Sequence, residues 1–75
     1  MKPETIEERI RAAFVGCDVA VIDTTGTADH FEVRVMAPQF KGQLPIQRHR
    51  SVLSLFDIEF KSGELHALEI KTFIK

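Results

Sequence analysis

Seventy-five residues, 44% apolar and 28% charged, fit one small soluble domain spanning 1–75 and leave no room for a second. A formal net charge of −1 excludes a generally basic nucleic-acid binder. The single cysteine, Cys17, excludes an internal disulfide and any zinc site that needs two thiolates from this chain, and it suits a reducing compartment, by default the cytoplasm.

The opening stretch MKPETIEERI is too acidic for a signal or transit peptide. Pro3 is tolerated in the first turn of a helix, and Glu4, Glu7 and Glu8 follow where negative charge suits the positive end of the helix dipole. Ile6, Ile10 and Phe14 recur every four residues with Ala13 beside them, and Gly16 is placed to end the element. Cys17, Val19 and Val21 then alternate with Asp18, Ala20 and Ile22. Phe31, Val33, Val35 and Ala37 alternate in the same way with Glu32, Arg34 and Met36, so both segments carry the period of two that marks strands. The polar segment Asp23 to Asp29 is too short for a crossover. It predicts an antiparallel pair joined by a mobile loop, a candidate functional edge.

Pro38 halts the second strand, Phe40-Lys41-Gly42 turns the chain, and Pro45 opens a further helix. Ile46, Val52, Leu53, Phe56 and Phe60 fall mostly on one side of it. A break is expected near Arg48 to Arg50, and Ser62-Gly63 stops the element. Leu68 and Ile70 alternate against Glu69 and Lys71 in a third strand within Leu65 to Ile74. Because the connection from strand two to strand three contains a helix, those strands run parallel. The sum is a two-layer α+β domain of order α-β-β-α(α)-β, with a three-stranded mixed sheet and helices on one face. No apolar run approaches the roughly 18 residues of a membrane span.

A chain this short buries only about 60% of its unfolded surface. That favours action through a surface or a partner and points away from an enzyme. Histidine is the side chain best suited to bind transition metals or to titrate near neutrality, and it stands at positions 30, 49 and 66. His30 begins the second strand as a half-exposed sheet residue. His49 lies between two arginines on a solvated helix face. His66 shares the parity of Leu68 and Ile70, which places it at the rim of the core, either hydrogen-bonded structurally or offering one ring nitrogen to a partner. Cys17 falls in the apolar phase of the first strand and reads as a small core residue.

Charge is uneven along the chain. From Val33 to Phe56 there are Arg34, Lys41, Arg48 and Arg50 and no acid, so Gln47-Arg48-His49-Arg50 sits in the one basic segment. Such charge can hold phosphate, yet no stacking aromatic interleaves it and no glycine-rich phosphate loop accompanies it. A solubilising helix face accounts for the same residues.

The run His30-Phe31-Glu32-Val33, then Phe40-Lys41-Gly42, Pro45-Ile46-Gln47-Arg48-His49-Arg50, Leu65-His66-Ala67-Leu68 and Lys71-Thr72 resembles the BolA family in order and spacing over almost the whole chain. The resemblance implies a fold similar to the type II KH domain. It also implies a partner, because BolA-like proteins pair with monothiol glutaredoxins. The pair shares a two-iron two-sulfur cluster together with glutathione, or forms on the apo-glutaredoxin, and acts in iron regulation or in cluster assembly and delivery. In that scheme the histidine of the HAL motif is a cluster ligand, which carries onto His66, and a second His or Cys comes from the loop between the first two strands. Here that loop has neither, and His30 at its exit is the local candidate.

Some relatives are regarded as transcriptional regulators, which makes DNA binding through Lys41, Arg48, His49 and Arg50 the alternative. Against it, a KH clamp depends on a GXXG loop, and Gly42-Gln43-Leu44-Pro45 ends in proline. Alone, the chain is expected to be a monomer or weak dimer, without cofactor and without membrane attachment.

Overall fold

The computed structural model describes all residues from Met1 to Lys75. Helix α1 covers Pro3–Ala13 with proline in its first turn, and Ile6, Ile10 and the following Phe14 turn one stripe inward. Strands β1 (Asp18–Asp23) and β2 (His30–Ala37) follow, then α2 (Pro45–Leu53), α3 (Asp57–Ser62) and strand β3 (Ala67–Ile74). Single turns of 3-10 helix occupy Pro38–Phe40 and Ser54–Phe56.

The sheet order is β1-β2-β3, with β1 antiparallel and β3 parallel to the central strand. Register sets Val19 opposite Val35 and Val21 opposite Val33 on one side, and Phe31 opposite Leu68 and Val33 opposite Ile70 on the other. These side chains share the face that the helices cover, α1 lying along β1 and α2 along β3. Phe31, Val33, Val35 and Ala37 are buried there with Ile6, Ile10, Phe40, Val52, Phe56 and Leu65 in one cluster. Each large apolar side chain so buried contributes about 1.5–3 kcal/mol. The opposite face is open. It carries Arg34 and Lys71 on either side of Glu32, at 2.9 and 3.3 Å, beside exposed Met36 and Phe73.

The α+β architecture and element order therefore match the expectation, with three differences of detail. The break in the crossover helix falls at Ser54–Phe56 instead of near Arg48 to Arg50. It separates α2 from α3, and Val52 before it and Phe56 at its end are both buried, while Ile46, expected on that side, is exposed. Leu65, not His66, takes the buried position before β3. The backbone N–H groups of His66 and Ala67 both donate to the Asp29 carbonyl, at 2.9 and 3.2 Å. Two successive amides converging on one oxygen interrupt the pleat, so the alternation of β3 does not extend back to residue 66.

Candidate functional site

The connection between β1 and β2 is organised by the last residue of β1, Asp23. Oδ1 of Asp23 accepts hydrogen bonds from the backbone N–H groups of Thr25 and Gly26 at 3.2 and 2.8 Å, and Oδ2 accepts that of Ala28 at 3.0 Å. A side chain gathering amides ahead of it is the Asx-turn device. Here it folds a loop expected to be mobile into a hydrogen-bonded turn, with Ala28 in the left-handed region at φ 61°. The loop then closes when the Thr24 N–H donates to the His30 carbonyl at 3.0 Å.

At the exit stands Asp29. Its Oδ1 accepts a hydrogen bond from the Thr27 hydroxyl and lies 2.7 Å from Nδ1 of His30. Its Oδ2 lies 3.0 Å from Nδ1 of His66. Parallel pairing supplies this meeting, because it sets His30 opposite Ala67 at the start of both strands. The two imidazoles pack edge to face with centroids 5.6 Å apart and planes at 90°. The ring of His66 is 57% exposed and that of His30 39%. The Thr27 hydroxyl and then the His30 ring hold the Asp29 carboxyl at about 2, below its ordinary 3.8, against an opposing cost of burial and with lesser help from the charges of His30 and His66.

Asp29, His30 and His66 each offer a ligand atom within 4.8 Å of the others. Imidazole nitrogen and carboxylate oxygen together suit first-row transition ions of borderline softness, iron among them. The donor set therefore fits iron chemistry. The site is a surface, not a pocket. A shallow apolar groove of about 270 Å³ lies elsewhere, on the open sheet face between Ala20, Met36 and Phe73.

The basic segment is less concentrated than its sequence suggests. Lys41 lies in the turn after the first 3-10 segment, and Arg48, His49 and Arg50 lie on α2. Residues two apart on a helix point roughly 200° from each other, so Arg48 and Arg50 do not share a face. Nε of Arg48 donates to the Gln43 carbonyl at 3.0 Å, which draws that side chain back along the turn. His49 is half-buried on α2 and stands apart from the Asp29–His30–His66 group. Cys17 is buried in the core as a free thiol. Sequence reasoning named both histidines of the group but missed Asp29. Its only signal was its place next to His30, and its value comes from a contact across the sheet.

A three-stranded mixed sheet with its helices on one face and a histidine pair at the head of its parallel strands defines a small KH-like α+β protein of the BolA type. The chain belongs to the BolA family, whose description "BolA-like protein" matches residues 11–75. It is 34% identical over 77 residues to the DNA-binding transcriptional regulator BolA of Escherichia coli K12, covering 93% of this chain and 72% of that protein. It is 36% identical over 69 residues to Protein BOLA2 of Arabidopsis thaliana, covering 91% and 72%. Its structure superposes on that of BolA1 from Arabidopsis thaliana with a TM-score of 0.85 at 25% identity, covering 96% and 89%. No helix is long and apolar enough to cross a membrane.

Proposed function

We propose that this chain is a non-catalytic, single-domain adaptor that docks a monothiol glutaredoxin and shares a two-iron two-sulfur cluster with it, serving iron–sulfur cluster delivery or iron regulation. The observation that carries this reading is the exposed pairing of His66 with His30, 5.6 Å between ring centroids, on a surface with no enclosing cavity. Two half-open imidazoles on a small domain form half a ligand set, and a partner has to complete it. In such a complex His66 is the first ligand and His30 supplies or supports the second. Histidine-ligated iron in a two-iron cluster has a higher reduction potential than its all-cysteine counterpart, which suits a cluster passed onward.

The test is anaerobic reconstitution with a monothiol glutaredoxin and glutathione. The mixture is expected to give a visible absorption and circular-dichroism spectrum distinct from that of the glutaredoxin alone. His66→Ala should abolish the difference, and His30→Ala should shift or weaken it. An unchanged spectrum in His66→Ala removes the ligand assignment.

A second reading, DNA binding by the crossover, is favoured by two observations. Lys41, Arg48 and Arg50 form no ion pair with an acidic side chain, and the Escherichia coli relative is named a DNA-binding regulator. A gel-shift series should then show affinity falling steeply with salt and reduced by Arg50→Ala. Absence of a shift at low salt ends that reading.

A further inference from the structure

We infer that Asp29 is a positioning residue that sets the tautomer of both histidines, locking His30 and His66 with the proton on Nδ1 and the lone pair on Nε2. The inference rests on the proposed ligand role of these rings, and it concerns a property the isolated chain already has.

The argument is one of donors and acceptors. An ionised carboxylate can only accept hydrogen bonds. Nδ1 of His30 lies 2.7 Å from Oδ1 and Nδ1 of His66 lies 3.0 Å from Oδ2, so a lone pair on either nitrogen would face the lone pairs of a negative oxygen. A proton on each Nδ1 removes both repulsions. Neutral imidazole carries one ring proton, and the free lone pair is then on Nε2 in each ring. A carboxylate behind a histidine orients the ring and raises the basicity of the opposite nitrogen. Here one carboxylate serves two rings from two strands.

The backbone makes this an assembled device. The Asp29 carbonyl accepts the N–H groups of His66 and Ala67 at 2.9 and 3.2 Å, fixing the main chain of His66 while the side chain of the same residue addresses its ring. Replacing the Asp29 side chain leaves that carbonyl in place, so the strand junction survives the substitution.

The experiment is a long-range proton–nitrogen NMR correlation on the full chain, without iron or glutaredoxin, at a pH where the imidazoles are neutral. The wild-type chain is expected to show His30 and His66 mainly as the Nδ1–H tautomer. In Asp29→Ala both should move toward the Nε2–H form, while His49 stays unchanged as the internal comparison. Asp29→Asn, which keeps the side-chain size and one acceptor oxygen, is expected to hold one ring at most. Backbone amide spectra establish that each variant is folded, and the asparagine variant serves where the alanine variant is not. Nε2–H rings in the wild type, or two rings still locked in a folded variant, overturn the inference. Failure of glutaredoxin to bind would leave these tautomers as they are, so the two ideas fail separately.

Discussion

The carboxyl of Asp29, held at about 2 by the Thr27 hydroxyl and the His30 ring, is one of three set below their ordinary values. Glu32 is lowered chiefly by its hydrogen bond to Arg34, and Glu59 chiefly by its hydrogen bond to Arg9. A carboxyl more acidic in the folded chain than in the unfolded one favours folding only while it is ionised. The stabilisation from these three groups is therefore complete above the unfolded values, 3.8 for Asp and 4.5 for Glu. It drains as pH falls through the folded ones. Urea midpoints should decline steadily as pH falls from about 5 toward 2.5. Asp29→Asn, which cannot ionise at that position, should start lower and lose less over the acid range. A wild-type midpoint unchanged at pH 2.5 would show that these ion pairs leave no mark on folding. At this scale the sequence was legible where chemistry belongs to the residue itself. His30 and His66 declare themselves as imidazoles, whereas Asp29 is one acid among eleven until the parallel register brings it against His66.

Among the elements, the contact between α1 and α3 is the most specific. Nη1 and Nη2 of Arg9 reach the two carboxylate oxygens of Glu59 at 2.5 and 3.2 Å. Nη1 also donates to the Leu55 carbonyl at 3.0 Å, and the guanidinium lies 5.1 Å from the ring centroid of Phe56. Glu59 is only 9% exposed, so removing its partner strands a poorly hydrated carboxylate. Arg9→Met is expected to cost about 1–3 kcal/mol by urea denaturation, the range for leaving a buried hydrogen-bonding group without its partner. That exceeds the roughly 0–1 kcal/mol of an exposed pair. The double variant Arg9→Met/Glu59→Leu should lose clearly less than the two single losses summed, and strict additivity would mean the bridge is not coupled.

This junction also shows where the elements ceased to be legible. The strands declared themselves through apolar alternation at Val19 and Val21 and at Phe31 to Ala37. The division of the crossover into α2 and α3 did not, because neither proline nor glycine interrupts Pro45 to Ser62. Val52, Leu53 and Phe56 suit one continuous helix equally well. The 3-10 turn at Ser54–Phe56 has no such marker in the sequence, and periodicity alone located the break too early.

Across the whole molecule, stability and the proposed function occupy different places. Twelve buried apolar residues form one cluster between helices and sheet, while His30 and His66 stand at the head of β2 and β3 with half-open rings. A chain of this length commands a folding free energy of about 4–11 kcal/mol. Phe56 is fully buried, so Phe56→Ala should remove about 3–5 kcal/mol of it and leave a chain partly unfolded at moderate temperature. His66→Ala and His30→Ala leave the buried cluster intact and each lose one partly exposed contact to Asp29, so each should cost no more than about 1 kcal/mol, although both are expected to disturb the cluster spectrum. Thermal and urea unfolding of the three variants, beside the glutaredoxin reconstitution, distinguish a ligand from a scaffold residue. If His66→Ala unfolded as readily as Phe56→Ala, its spectral effect would follow from lost structure, and the imidazole would belong to the fold instead of to the partner.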